Sequence, residues 1–556
     1  MRKIWVGLVS VFLCLMSACS AQHALATPVL NQETYLPEDP IITPTPFKPV
    51  FIEDEPNIDL TLWIPDYLED IQFNWEEHSQ IIISEAREDA VCTLQAGNKG
   101  NKIGYLTLAL VTPFNTIQDE LSIEQINKVM IGDDASQSTT GKLFVSESVY
   151  SVVSESLGNL SGNVVIVPED ELFLEVSRSS ENLGLVRFDY LAPHWKVMRI
   201  ANISPLDKRF DSQSYYFNLP ISVVCMNDEL SQMMIDQLKE EYTNRSEEKI
   251  TSILMTGTTA LTRATADRME KFGTTYPGVN IKFWFDNSDI RHVSSETSFY
   301  AGCPPPNPVQ KNLVFCSDPK YLELFTFLQV DIIELTGNHL LDKGIGPFEN
   351  TLDLLNQTGF NYYAAGFSKE EAQSPLLLEH NGNKFAFFGC NPAGPANVWA
   401  TDSRGGVNNC DYAEMTDQIR ALKQEGYLPI VTFQYFESNS MRASTTQMKD
   451  FREMVDAGAV IVSGSQSHVP MSMEIYHQAF IHYGLGNLFF DQMDSIINRQ
   501  EFLDRHIFYD GRYIGTELMT AMLENYAQPR PMTPSERASL LEDAFRNFTF
   551  MVEENE

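Results

Sequence analysis

The second half of the chain alternates between apolar runs and segments with helical spacing. Ile250–Thr256, Asp331–Thr336 and Val460–Gly464 are short apolar runs of the kind that form buried strands. Thr262–Phe272 and Thr446–Ala457 place apolar residues three or four positions apart, as one face of a helix requires. The alternation predicts an α/β domain over residues 249–528, built as a layered sandwich with a mostly parallel core.

The first half shows a similar but shorter rhythm. Lys102–Pro113 has a strong strand pattern, and Leu121–Ile131 has helical spacing with Ser122 and Gln125 placed as a capping box. We therefore predict a smaller α/β domain over residues 58–228. A helical connector with one apolar face follows over residues 229–248, and residues 529–556 form a polar tail.

An export signal occupies the N-terminus. Arg2 and Lys3 precede an apolar run, Ile4–Ala18, which is shorter than the roughly 20 residues that a spanning helix needs. The run ends in small residues and Cys19, which resembles a bacterial lipobox and predicts a membrane-anchored lipoprotein outside the cytoplasm. Cleavage after Ala26, which would give a secreted protein, is the alternative. Residues 1–26 are thus the predicted signal peptide, and the proline-rich residues 27–57 are a predicted tether.

Charge and cysteine content narrow the partners and the compartment. The formal net charge of -36 argues against nucleic acid as a partner. Beyond Cys14 and Cys19 an even number of cysteines remains, which suggests disulfides in an oxidising compartment, with free buried thiols as the alternative. Closeness in sequence makes one set of pairings the simplest: Cys92–Cys225, Cys303–Cys316 and Cys390–Cys410.

Polar side chains gather just after the apolar run Asp331–Thr336. Asn338, His339 and Asp342 follow it, at the place where an open α/β sheet presents ligand-binding groups. The His339 imidazole can bind a metal or move a proton near neutral pH, and Asp342 can orient it or couple to its charge. The alternative is a helix-capping turn in which His339 only forms a hydrogen bond.

Three motifs in the second half resemble those of the capsule-synthesis protein A (CapA) family, which is implicated in poly-gamma-glutamate capsule formation. They are Asn-His-x-x-Asp at Asn338–Asp342, a Gly-x-His-Pro-His-like segment at Gly464–His468, and the ending Tyr483–Asp491. The resemblance covers residues 249–528 and implies the fold of calcineurin-like metallophosphoesterases, an αββα sandwich. More diffusely, Tyr105–Asp133 resembles the type II periplasmic solute-binding fold.

Several departures from the CapA pattern bear on the chemistry. Thr258 stands where the family has an acid, Gln466 stands where it has a His, and Phe433–Glu437 lacks the His of the family's His-Trp-Gly-x-Glu segment. A two-metal site needs a bridging carboxylate and several imidazoles, which these residues do not supply. What remains implies one divalent cation, such as Mn, Zn or Fe, or none.

The resemblance assigns roles to the residues that are kept. His339 and Asp342 are the expected proton-transfer pair. The expected metal ligands are Glu296, Asn338, Glu437 and His468, and the expected binding residues are Gln466, Glu474 and Asn487.

Two functions follow from these expectations. In the first, the domain is a metal-dependent hydrolase or transferase of the metallophosphoesterase type that acts in capsule or poly-gamma-glutamate synthesis. In the second, the site is eroded and the chain is a tethered binding or assembly protein for an envelope polymer or a small solute. The expected partners are the membrane, through the lipid anchor, and an envelope polymer or other capsule-synthesis proteins.

Overall fold

The structure, a computed structural model, describes residues 59–69, 71, 81–131, 141–238, 241–546 and 548–551. The predicted signal peptide, Cys19 and the predicted tether lie outside these residues. Among the helices of the described residues, none combines the length and the apolar character that crossing a bilayer requires.

A mixed sheet built around one long strand organises the first half. The strands run in the order β2-β1-β3-β11-β4-β8-β6-β7, and β12 and β9 also pair with β4, while β5 pairs with β10. The strands are β1 (Leu60–Trp63), β2 (Ile81–Ser84), β3 (Cys92–Ala96), β4 (Asn101–Pro113), β5 (Glu120–Leu121), β6 (Leu143–Val145), β7 (Val164–Ile166), β8 (Leu183–Arg187), β9 (Trp195–Val197), β10 (Arg199–Ile200), β11 (Asn218–Cys225) and β12 (Tyr242–Thr243). The α-helices are α1 (Ile123–Ile131), α2 (Glu147–Leu157), α3 (Leu172–Ser177) and α4 (Asp228–Gln237).

Local sequence signals account for much of this half. Strand β4 matches the predicted Lys102–Pro113, and the Ser122 hydroxyl and the Gln125 side chain form the predicted reciprocal cap at the start of α1. The connector differs, because its helix α4 ends at Gln237 and the short strand β12 then pairs with β4. Asn244 fixes this return, since its side chain hydrogen-bonds both backbone groups of Thr107 on β4.

Two larger sheets form the second half. The first has the order β16-β15-β14-β13-β26-β27-β28 with β25 also paired to β13, the second has the order β18-β19-β21-β22-β24-β23-β29, and β17 pairs with β20. The strands are β13 (Ile250–Thr259), β14 (Ile290–Ser295), β15 (Ile332–Glu334), β16 (Asn361–Tyr363), β17 (Ala365–Gly366), β18 (Leu376–His380), β19 (Asn383–Cys390), β20 (Gly406–Val407), β21 (Leu428–Gln434), β22 (Ile461–Ser465), β23 (Met473–Tyr476), β24 (Ala479–His482), β25 (Asn487–Phe489), β26 (Gln500–Tyr509), β27 (Arg512–Glu524), β28 (Gln528–Pro531) and β29 (Thr549–Met551).

The second half also contains α-helices. They are α5 (Arg263–Phe272), α6 (Lys282–Asp286), α7 (Leu322–Phe327), α8 (Ile345–Thr358), α9 (Lys369–Gln373), α10 (Tyr412–Gln424), α11 (Thr445–Ala457), α12 (Ile496–Arg499) and α13 (Pro534–Phe545). Phe325 of α7 and Phe348 of α8 pack on the first sheet, whereas Ile419 of α10 and Phe451 of α11 pack on the second. The two sheets share a buried core, so the second half is the αββα sandwich that the resemblance implies.

Both sheets combine parallel and antiparallel pairing. The pairs β13–β14, β14–β15 and β15–β16 are parallel in the first sheet, and β19–β21, β21–β22, β22–β24 and β23–β29 are parallel in the second. The long hairpin β26–β27 is antiparallel, and its strand β26 pairs antiparallel with β13. The hydrophobic pattern did not indicate that hairpin. A second hairpin lies in the apolar run from Leu376 to Phe388, where the chain turns between β18 and β19 at Asn381 and Gly382, which both have positive φ.

The tail of the chain joins the two halves. Helix α13 is entered through a full capping box at Thr533 and Glu536, and it buries Leu540 and Leu541. Its Arg537 forms a paired hydrogen bond with Asp119 of the first half (2.7 and 2.9 Å). The predicted polar tail therefore contains an amphipathic helix, α13, that connects the two halves through Arg537 and Asp119.

The three predicted disulfides are all present. Cys92–Cys225 links neighbouring strands β3 and β11, Cys303–Cys316 closes a loop, and Cys390–Cys410 closes another after β19. Three disulfides are typical of proteins that fold in an oxidising, extracytoplasmic compartment.

Candidate functional site

The ends of parallel strands bring the first group of site residues together. Strands β13, β14 and β15 are neighbours in parallel pairing, so the segments that follow them meet at one edge of the sheet. Gly337 permits this approach, since a Cβ there would lie 2.4 Å from the Cα of Glu296. Thr297 and His339 form a bridge beside that contact, which places Glu296 against the Asn338–His339 turn.

The second sheet supplies an amide to the same place. Gln434 ends β21, is fully buried, and donates from Nε2 to Oδ1 of Asn338 (2.9 Å) and to Oε1 of Glu296 (3.4 Å). The backbone amide of Gln466, just past β22, donates to Oγ1 of Thr258 on β13 (3.2 Å). Both sheets thus meet at the strand-end site, which we define as Thr258, Glu296, Asn338, His339, Gln434, Gln466 and His468.

His339 and Asp342 form the predicted pair. His339 Nδ1 lies 2.7 Å from Asp342 Oδ2, and the same oxygen accepts the backbone N–H of Phe315 (2.7 Å). Burial is the largest single influence on His339 and lowers its pKa. The hydrogen bond to Asp342 and the charges of Glu296 and Asp342 outweigh burial and the opposing charge of Arg263, so the pKa of His339 is raised. The surroundings of His339 therefore favour its protonated form more than water does.

His468 is held on the opposite side by Asn487. The Nδ1 of His468 lies 2.8 Å from Asn487 Oδ1, so the predicted Asn487 acts by orienting that ring. Gln466 and His468 both adopt left-handed backbone conformations (φ 67° and 55°), which are uncommon for residues other than glycine and cluster at functional sites. The exposed Glu437 reaches His468 only loosely, at 3.9 Å from Nε2.

An arginine that sequence reasoning gave no role lies between the two imidazoles. The Arg263 guanidinium pairs with Asp491 and lies over the rings of Phe315 (4.9 Å) and Phe490 (5.1 Å). Phe315 packs on His339 with ring centroids 4.4 Å apart, and Phe490 stacks on His468 at 5.1 Å. The acid that ends the late motif, Asp491, was the available signal, because a buried carboxylate implies a cation beside it.

Glu474, which was predicted to be a binding residue, makes its hydrogen bonds with residues outside the strand-end site. Its carboxylate accepts hydrogen bonds from Arg452 Nε (2.9 Å), from the Tyr483 hydroxyl and from Thr549 Oγ1 (2.9 Å). These partners, together with the buried position of Glu474 on β23, give it a structural role in the second sheet.

The donor set does not fit a two-metal centre. The Nε2 group of Gln434 points its hydrogens at Glu296 and Asn338, the two oxygens that would face a cation, and an N–H group cannot itself bind one. Within the described part of the chain, no group of three or more His, Cys, Asp and Glu side chains is arranged to hold a metal ion. Binding of a single cation by Glu296, Asn338, Glu437 and His468 stays a prediction.

Comparison with known proteins identifies the domain that carries this site. The model of the family described as "Bacterial capsule synthesis protein PGA_cap" matches residues 252–492. A capsule biosynthesis protein CapA of Bacillus anthracis is 24% identical over 299 residues, which is 52% of this chain and 71% of that protein. A PGA biosynthesis protein CapA of Bacillus subtilis is 26% identical over 29% of this chain and 43% of that protein, so the match spans less than half of its length.

Solved structures give only distant similarities. A 5'-nucleotidase precursor from Thermus thermophilus has 10% identity and a TM-score of 0.30, covering 52% of this chain and 58% of that one. A phosphate transport receptor from Vibrio cholerae has 11% identity and a TM-score of 0.25, covering 33% of this chain and 94% of the receptor. At these scores the fold rests on the sheet topology given above. The family match at residues 252–492 and the similarity to the CapA proteins agree with the motifs of the second half.

Proposed function

We propose that this chain is an exported, lipid-anchored accessory protein of capsule or poly-gamma-glutamate-type polymer synthesis, which binds its polymer rather than cleaving it through a two-metal centre. The similarity of residues 252–492 to capsule-synthesis proteins supports the proposed role in polymer synthesis, and the three disulfides support export. The observation that carries the choice of binding over metal chemistry is the Gln434 amide between Glu296 and Asn338.

The site offers hydrogen bonds in place of metal coordination. Glu296 is buried and held by an amide, and His339 and His468 each have one ring nitrogen fixed by a neighbouring side chain. When it is protonated, His339 attracts acidic groups despite the strongly acidic chain, and that attraction weakens with salt.

Binding measured with and without chelator tests this proposal. The purified mature protein is incubated with γ-linked polyglutamate, and retention is compared before and after treatment with EDTA. We expect retention that EDTA does not change, metal well below one equivalent, and loss of retention in His339→Ala. Stoichiometric metal that disappears in Glu296→Gln and His468→Ala, together with polymer cleavage, would refute it.

The His339–Asp342 pair favours a second candidate, a hydrolase or transferase that uses proton transfer. With Asp342 fixing one ring nitrogen, the other nitrogen of His339 is free to protonate a leaving group. Turnover on amide-linked polymers or phosphoesters would then fall by about a hundredfold or more in His339→Ala. Asp342→Asn keeps the shape of the pair, so a smaller loss with an altered pH profile is expected there.

Lipid anchoring has a direct test at Cys19. Cells expressing the full chain are grown with a fatty-acid analogue that can be tagged after lysis. We expect label on the wild-type protein and none on Cys19→Ser. Equal labelling of both, or an unlabelled wild-type protein in the medium, would instead favour cleavage after Ala26.

A further inference from the structure

A cavity of about 320 Å³ lies beside the strand-end site and shares Arg263 with it. Its walls come from the start of α5, from the loop closed by Cys303–Cys316, and from Lys343. We call it the Lys343 pocket. Its size is at the lower end of the range of small-ligand sites, enough for one short side chain or a few linked atoms.

The pocket is richer in cations than the chain that carries it. Three of its seventeen lining residues are Lys or Arg and two are acidic, whereas the whole chain has 39 basic and 75 acidic residues. Both lining acids are already engaged, because Lys320 lies 2.6 Å from Glu270 and 3.9 Å from Asp318. The lining therefore lacks the excess of acidic residues that the chain as a whole has.

Lys343 is the cation that remains. Arg263 is neutralised by Asp491, and Lys320 by Glu270 and Asp318. Lys343 makes no ion pair or side-chain hydrogen bond with any residue that the structure describes, and it is partly exposed. Lys343 is thus the basic side chain of the pocket that is free to pair with an anionic group.

The rim of the pocket is rigid before any ligand arrives. The Cys303–Cys316 disulfide and three consecutive prolines, Pro304 to Pro306, restrict the loop. The side-chain amide of Gln310 adds hydrogen bonds to the carbonyls of Asn312 (3.0 Å) and Val314 (3.1 Å). Binding a ligand therefore costs little further conformational entropy of this loop.

The same loop links the pocket to the catalytic-type pair. Phe315, next to Cys316, donates its backbone N–H to Asp342 and packs its ring on His339. A ligand in the pocket therefore lies against the same loop whose Phe315 contacts His339 and Asp342. The prolines, Leu261 and Val314 offer apolar contacts to a short aliphatic spacer.

We propose that the Lys343 pocket binds a carboxylate carried on a short aliphatic chain, as one repeat unit of an acidic, amide-linked polymer. This rests on the proposed function for the polymer as a whole, but the carboxylate specificity of the pocket is a separate property of the residues named above.

Isothermal titration of the purified mature protein with glutarate, and with its neutral analogue glutaramide, tests the pocket. Lys343→Gln removes the charge and keeps most of the side chain. Lys369→Gln is the matched control, because Lys369 is exposed on α9 and outside the pocket. We expect Lys343→Gln to weaken glutarate binding by about tenfold or more. Lys369→Gln should leave binding within about twofold, and glutaramide should not bind.

A γ-linked oligoglutamate separates the two proposals. Glutarate that does not bind, or that binds Lys343→Gln as tightly as wild type, overturns the pocket. Oligoglutamate binding that is strong but unchanged in Lys343→Gln overturns the pocket while leaving the proposed function standing. Glutarate binding that depends on Lys343, without any binding of the oligomer, supports the pocket and overturns the proposed polymer function.

Discussion

Replacing Glu334 by Gln should stabilise the protein above neutral pH. Glu334 ends β15 directly before the strand-end site and is 2% exposed. Burial raises its pKa to about 7, against the lowering effect of hydroxyl hydrogen bonds from Thr336, Thr432 and Ser294. The folded protein therefore holds a proton on Glu334 at pH values where the unfolded chain has already lost it.

The sign of the effect follows from proton linkage. Between the ordinary carboxyl pKa of 4.5 and about 7, the folded state binds more protons than the unfolded state, so stability falls as pH rises through this window. Above this window the full loss of folding stability is reached, which for a pKa raised from 4.5 to about 7 is of order 3 kcal/mol. Gln carries no charge, so Glu334→Gln should remove this cost at pH 8 and change little at pH 4.5.

Thermal unfolding at several pH values measures this difference. Glu474→Gln is the matched control, since Glu474 is also buried but its pKa is lowered. Burial raises the pKa of Glu474, but the hydrogen bonds from Arg452, Tyr483 and Thr549 and the charge of Arg452 outweigh burial. Its carboxylate stabilises the fold at high pH, so Glu474→Gln should destabilise it there. Equal stability of Glu334→Gln and wild type at pH 8, or the same gain at pH 4.5 and 8, would refute the reasoning, because only ionisation gives the difference.

Three further predictions concern other contacts. Burial lowers the pKa of His506 to about 4, so stability should fall as pH drops from 6.5 to about 4, and His506→Gln should flatten that part of a thermal-unfolding pH profile. Arg537→Ala removes the paired hydrogen bond to Asp119 between the two halves and should lower the free energy of chemical unfolding by about 1–3 kcal/mol. An unchanged unfolding midpoint would contradict a stabilising role for this contact. Replacing Cys390 and Cys410 by Ser opens a loop of 20 residues and should cost about 3 kcal/mol in chemical unfolding; an unchanged unfolding midpoint would contradict this estimate.

Features that depend on short stretches of sequence were predictable. The strand β4, the capped start of α1 and the helices α5 and α11 follow from hydrophobic spacing and local caps. The turn Asn338–His339 with Asp342 was also predicted, because a pair three residues apart meets within one turn of chain. Two disulfides, Cys303–Cys316 and Cys390–Cys410, followed from spacing, since loops that join nearby cysteines are the easiest to close, and Cys92–Cys225 was the pair that remained.

Longer-range features were decided by packing. The β26–β27 hairpin buries Asp504, Arg505 and His506, and these charges hide its strand pattern until their partners are known. Asp504 meets His482 of the opposite sheet, and Arg505 meets Glu517 across the hairpin. A charged residue in a candidate strand predicts an exposed position unless its partner is known, and here the partners, His482 and Glu517, lie elsewhere in the chain.

The character of the site was decided in the same way. The sequence determined that Glu296, Asn338, His339 and His468 follow strands of one sandwich, and that a two-metal set is incomplete. Only the tertiary structure brought Gln434 from the second sheet onto Glu296 and Asn338, over separations of 138 and 96 residues. Contacts across such separations depend on how the two sheets stack, and hydrophobic periodicity specifies the faces of each sheet but not which side chains at their edges will touch.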